Sequence, residues 1–267
     1  MKRIRFLTVL AASAVMAGSA FAIDANAVLE KYAQLAIPET STAKIKLELF
    51  SAAGKLEETR DVMQYGNHKG GLVNTVFDFK GPASNKYYKT RVWQSEKSNK
   101  DDDKYVFEPS VGTVRRVNTT DRGKSFLGMD VTYNDMTIRN YKDDENTMLD
   151  ENATVNVAGK NYNVYKIKSV PIANKNVEYA YRIQYINKET YLPAKIEYYS
   201  KTDKLTKSLN VDHVTVMNGK YLFRDKQTIV NEKTGHKTVI SIKPEDVTFD
   251  KPLSDKYFSQ QWLQTGK

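Results

Sequence analysis

The sequence predicts a mainly β protein: an incomplete antiparallel β-barrel, a curled sheet with a helical lid. Three observations predict it. Apolar and polar residues alternate with period two along most of the chain, short turn signals separate the alternating runs, and helical spacing is confined to the two ends.

The N-terminus carries Lys2, Arg3 and Arg5, an apolar run from Phe6 to Ala17, and Gly18-Ser19-Ala20-Phe21-Ala22. A basic start, a short apolar stretch and an A-x-A site make a secretory signal peptide, with cleavage expected after Ala22. Residues 1–22 are then the signal peptide and 23–267 a single domain. The first residue after the cut is Ile23 and the chain has no cysteine, so neither a lipid anchor nor a disulfide is expected. Of the net charge of +9, the three basic residues of the leader supply three, leaving +6. The remaining charges are spread rather than clustered, as on a solvated surface, and no nucleic-acid partner is expected.

Beyond the leader, Asp24 caps a helix expected to run through Val28, Leu29, Tyr32, Leu35 and Ala36 and to end at Pro38. Ile45, Leu47 and Leu49 alternate with Lys46 and Glu48. Val177, Tyr179, Tyr181, Ile183 and Tyr185 alternate with Glu178, Arg182 and Gln184, which predicts an apolar face formed by the tyrosines. Turns are expected at Ala53-Gly54, Ala158-Gly159, 201–203, Asn218-Gly219 and Thr234-Gly235. A charged tip at 99–104 joins two strands holding Trp93 and Phe107. Residues 119–140, with Phe126, Leu127, Met129, Val131, Tyr133 and Met136, are apolar without a clean period. Ser254 is placed to cap a helical tail containing Tyr257, Phe258 and Trp262. A helix and an apolar irregular segment can cover the open side of such a sheet, leaving either an apolar cavity or a packed core.

No catalytic constellation can be assembled. Ser41-x-x-Lys44 and Lys233-Thr234-Gly235 lack the Ser-Asp-Asn motif that would accompany them in a serine β-lactamase. Gly123-Lys124-Ser125 lacks the first glycine of a phosphate loop, since position 118 is Asn118. His68, His213 and His236 are too scattered to form a metal site, and no cofactor is expected. The protein reads as a non-enzyme.

One stretch is recognisable. Tyr105-Val-Phe-Glu-Pro-Ser-Val-Gly-Thr-Val-Arg-Arg-Val117 precedes Asp121-Arg122 and Ser125-Phe-Leu-Gly-Met-Asp-Val-Thr-Tyr-Asn-Asp-Met136. Downstream come Thr190-Tyr-Leu-Pro193, Ile196-Glu-Tyr-Tyr199, Val247-Thr-Phe-Asp250 and Phe258-Ser-x-x-Trp-Leu263. Together they resemble the outer-membrane lipoprotein-sorting protein family, a LolA-like branch. Met129, Asn134 and Glu108 depart from its usual small, acidic and leucine residues.

The resemblance implies a periplasmic carrier or chaperone that holds lipid or lipoprotein acyl chains in an apolar cavity and moves them toward the outer membrane. It also implies an association with an inner-membrane exporter of the resistance-nodulation-division class. A monomer is expected. Leu47, Leu49, Trp93, Phe107, Tyr179, Tyr181 and Ile183 are the expected cavity floor, and Phe126, Met129 and Tyr133 the expected lid. Arg115 and Arg116 alternate on a strand, so one of them is expected at the mouth, facing a headgroup. The alternative is a non-carrying accessory or scaffold protein of an envelope transporter.

Overall fold

A computed structural model describes residues 23–97, 103–137, 139–172 and 177–267. The expected signal peptide, and positions 99–102 of the charged tip, lie outside them. The strands are β1 (Thr40–Phe50), β2 (Leu56–Lys69), β3 (Leu72–Gly81), β4 (Arg91–Lys97), β5 (Asp103–Phe107), β6 (Val114–Arg116) and β7 (Asp144–Val157). They continue with β8 (Lys160–Pro171), β9 (Tyr181–Asn187), β10 (Pro193–Tyr199), β11 (Leu205–Met217), β12 (Tyr221–Asn231) and β13 (Lys237–Phe249). All thirteen join one sheet in the order β6-β5-β4-β3-β2-β1-β13-β12-β11-β10-β9-β8-β7. Sequence neighbours pair as antiparallel hairpins, and β1 closes the seam by pairing with β13, with Leu47 opposite Ile240. The sheet does not close on itself: β6 and β7 are its edges.

Turn chemistry supports the meander. Ala158-Gly159 and Asn218-Gly219 both take positive φ at each residue, the conformation of two-residue hairpin turns that match strand twist.

Alternation then sorts the side chains. On one face, here called inner, Ala43, Ile45, Leu47 and Leu49 of β1 share a core with Val62, Phe79, Val92, Val106, Ile229 and Ile242. Further along the same face, Ile167 and Ile186 receive Ala25, Val28 and Leu29 of helix α1 (Ala25–Ala33). The Asp24 carboxylate caps α1 by accepting the Asn26 N–H at 3.0 Å. The helix ends at Ala33, before Leu35 and Ala36, so it is shorter than the spacing suggests.

The tail is not one helix but two short turns. Ser254 caps a 3-10 turn (Asp255–Phe258), and Ser259 caps α2 (Gln260–Thr265), accepting the Trp262 N–H at 3.2 Å. It packs on the outer face of β2–β6. There Tyr257 stacks on Tyr65 with ring centroids 4.0 Å apart, and Trp262 meets both rings edge-on. Arg91, inserted beneath α2, donates to the Leu263 carbonyl at 3.0 Å and faces the buried Asp78 at 3.3 Å.

Register corrects several floor assignments. Val92 and Val106 pair across β4 and β5 on the inner face, which turns Trp93 and Phe107 outward. Trp93 stacks on Tyr105 and donates to Asn74, while Phe107 lies near Arg91. On β9 the apolar alternation misleads: Arg182, Gln184 and Ile186 face inward, and Tyr181 and Ile183 are half-buried on the other side. The inward polar groups are tolerable because they are hydrogen-bonded, Arg182 to Asp144 at 2.9 Å and Gln184 to Ser169 at 2.7 Å. The tyrosine instead keeps its hydroxyl near water, bonding Asp203. Tyr179 precedes the strand and is buried against Ile196 and Tyr198 on the inner face.

Trp262, 3 % exposed, holds the tail to the outer face. Trp262→Ala is expected to cost about 3–5 kcal/mol in equilibrium denaturation, by analogy with buried aromatic truncations, with a smaller cost for Tyr257→Ala.

Candidate functional site

The irregular segment 117–137 covers the inner face of β1–β5, β12 and β13. Phe126, Leu127, Met129, Val131 and Tyr133 all sit in the same buried core as Leu47 and Leu49. Phe126 meets Phe77 and Tyr133 edge-on, at 5.9 and 5.1 Å between ring centroids. The predicted lid and the two β1 floor residues are therefore brought together, and the floor beneath the lid is occupied by the chain's own side chains. A cleft of about 170 Å³ lies at the end of β1, between residues 40–42, Thr248 and 251–253.

The cover differs from the sheet in where its backbone bonds go. Ser125 and Thr132 form an isolated bridge. Phe126 N–H donates to the Val131 carbonyl at 2.7 Å, Met129 to Phe126 at 3.1 Å, and Asn134 to Arg122 at 2.9 Å. The segment satisfies much of its own backbone, as a buried loop must. Its tip, Leu127-Gly128, takes positive φ at both residues. A side chain at Gly128 would also press on the Tyr87 hydroxyl, 3.1 Å from the Cβ position.

A small set of polar groups pins this unit to the sheet. Arg60 is 1 % exposed on the inner face of β2. It donates to the Leu127 carbonyl at 2.6 Å, forks onto Glu58 at 2.7 and 3.0 Å, and lies under the Tyr87 ring. Asp130 accepts from the Thr238 hydroxyl at 2.7 Å and contacts His236 Nδ1 at 2.7 Å. Gln94 donates to the Met136 carbonyl at 2.6 Å, and Lys104 to the Thr137 hydroxyl at 2.7 Å. Asp135 holds Lys207 of β11 at 2.5 Å.

These pins are what sequence reasoning missed. Their signal is a polar residue at an inward strand position, visible only once the register is known.

Of the arginine pair, Arg115 lies opposite Val106 and so belongs to the inner face, where it donates to Glu108 at 2.7 Å. Arg116 points to the other side and pairs with Asp103. Glu108 thus serves as the partner of Arg115.

Burial pushes the pKa of Tyr133, Tyr179 and Tyr198 up, so all three stay neutral near pH 7. The hydrogen bond from Arg60 holds the Glu58 carboxyl below the ordinary glutamate value.

An open antiparallel sheet with one apolar face, closed by a helix and a self-bonded cover, defines the LolA-like class of folds. Solved structures agree. A domain assigned to an outer membrane lipoprotein-sorting protein of Vibrio parahaemolyticus superposes with a TM-score of 0.77 at 20% identity, over 90% of this chain and 97% of that one. A DUF1329 family protein from Desulfovibrio piger gives 0.78 at 23%, over 90% and 99%. A LolA superfamily protein from Nitrosomonas europaea gives 0.62 at 19%, over 90% and 100%. No curated protein matches the chain. A family model described as an uncharacterized protein matches residues 71–265, and the chain belongs to that family.

Because the folded protein holds the Glu58 pKa below the ordinary glutamate value, the Glu58–Arg60 pair, and with it the Arg60 hydrogen bond to the Leu127 carbonyl, stabilises the fold above that ordinary value. That contribution disappears as pH falls through the lowered one. Acidification into that range is expected to raise amide exchange in residues 125–133 before the sheet unfolds, and Glu58→Gln to abolish the pH dependence of this step.

Proposed function

We propose that the protein is an envelope carrier that takes up a lipid or the acyl chains of a lipoprotein by exchanging them for its own cover. The reading is supported above all by the match between the cover and a guest. Five buried apolar side chains, Phe126, Leu127, Met129, Val131 and Tyr133, at about 1.5–3 kcal/mol each, bring on the order of 10 kcal/mol of transfer energy. A sixteen-carbon chain, at about 0.8 kcal/mol per methylene, brings on the order of 12 kcal/mol. The exchange is near balance, so a modest bias from a donor or acceptor can drive it either way.

Leu47 and Leu49, with the Phe126, Met129 and Tyr133 side chains lifted away, form the acyl floor on this reading, and Tyr179 extends it toward α1. Arg115, beside Glu108 on the edge strand, stands at the mouth. The leader supports export to the periplasm after cleavage at Ala22. Transfer toward the outer membrane, with an exporter of the resistance-nodulation-division class as partner, completes the proposal. A non-carrying accessory role is the second reading, favoured by the filled inner face.

The chain's lack of cysteine makes a clean test possible. Asp130 and Thr238 touch, so the double variant Asp130→Cys, Thr238→Cys is expected to form a reducible lock between cover and sheet. The oxidised form should take up no fluorescent fatty acid, and reduction should restore uptake. Uptake equal in both states overturns the exchange with the cover; uptake by neither, with no lipid found by mass spectrometry of gently purified protein, argues for the accessory reading.

A further inference from the structure

The cover carries more than an apolar plug. At its end, Asp135 is nearly buried, and its carboxylate sits on the Lys207 ammonium at 2.5 Å. Lys207 is itself almost buried, lying over the Tyr198 ring at 4.3 Å. Register places Lys207 of β11 opposite Tyr198 of β10, and Tyr198 opposite Arg182 of β9. Strands are about 4.8 Å apart, so the two cations flank the tyrosine within roughly 10 Å, in one row across the inner face. This row lies where the apolar cluster under the cover gives way to the one under α1.

Asp135, on the cover, supplies one of the carboxylates around the row. Arg139 and Arg182 share the single carboxylate of Asp144. Lys207 has Asp135 and, at 3.5 Å, Glu178. Removing the cover removes Asp135 and leaves Lys207 with the Glu178 carboxylate, 3.5 Å away. Arg182, 8 % exposed, also keeps a buried Nε with no partner. A buried cation without its counter-charge is costly, and an incoming anion relieves that cost.

We infer that Lys207, Tyr198 and Arg182 form a seat for the oxyanion of an anionic amphiphile, and that Asp135 occupies it in the closed form. The cover is then a mimic of its guest, with apolar side chains in place of the acyl chain and a carboxylate in place of the headgroup. The inference rests on the carrier reading and adds the headgroup chemistry: a phosphate or carboxylate, which guanidinium and ammonium groups both bind as charge-assisted donors.

The test compares two lipids with the same acyl glycerol, oleoyl lysophosphatidic acid and monooleoylglycerol, by displacement of a fluorescent fatty acid from the full mature chain. Wild type is expected to favour the phosphate by about tenfold or more, as charge-assisted hydrogen bonds allow. Asp135→Asn, which removes the occupant, should raise lysophosphatidic acid affinity severalfold. Lys207→Gln should bring the two affinities together.

Equal binding of the two lipids by wild type overturns the inference and leaves the carrier reading standing. So does a preference that survives in folded Lys207→Gln. Should Lys207→Gln fail to fold, the wild-type ratio and Asp135→Asn decide. Inorganic phosphate in large excess is expected to leave lysophosphatidic acid bound; displacement by phosphate assigns the seat to the free anion and overturns the headgroup assignment. If neither lipid displaces the probe, the carrier reading itself fails.

Discussion

The structure depends on burying one apolar sheet face that has no second sheet to cover it. Thirteen strands place Ile45, Leu47, Val62, Phe79, Val92, Ile229 and their neighbours on one side. Such a surface is not stable in water and must find partners within the chain. The chain supplies two: a nine-residue helix and a loop that folds on itself. Because the loop bonds largely to itself, its contribution is hydrophobic contact plus a few side-chain pins. That divides the molecule into a hydrogen-bonded frame and a cover attached mainly by packing.

Polar residues inside the frame make sense in that light. Arg60, Gln94 and Lys104 are inward-facing and nearly buried, yet each reaches a carbonyl or hydroxyl of the cover. An apolar residue at any of these sites would pack as well but would leave a buried cover acceptor unsatisfied. The pins therefore fix where the cover sits, while the aromatic and aliphatic side chains supply most of its adhesion.

Much of this was legible in the sequence. Period-two alternation and turn residues identified the meander, and β1 was read with its correct face. The unperiodic apolar stretch around Phe126 marked the cover, because apolar residues without a repeat cannot serve a strand or a helix face. What failed was the choice of face elsewhere. Along β9 the apolar residues alternate as Tyr181, Ile183 and Tyr185, but the inward positions belong to Arg182, Gln184 and Ile186. Alternation shows that a strand has two faces; it does not show which is covered when both contain aromatic and polar groups. Trp93 and Phe107 failed for the same reason, since a second apolar layer, the C-terminal tail, waits on the outer face. The buried pairs Arg182–Asp144 and Lys207–Asp135 were invisible because each joins residues far apart in sequence.

The pairing of β1 with β13 has a consequence for biosynthesis. Thr42 meets Thr248 across that seam, so the strand made first shares its ladder with the one made last. A ribosome delivers the two ends far apart in time, and pairings of such long range are slow to form. The central ladder therefore stays unfinished until almost all of the polypeptide has emerged. The hairpins from β1 to β6 and from β7 to β13 are local and can pair as they emerge, so what the last strand contributes is the single seam that joins two halves of the sheet.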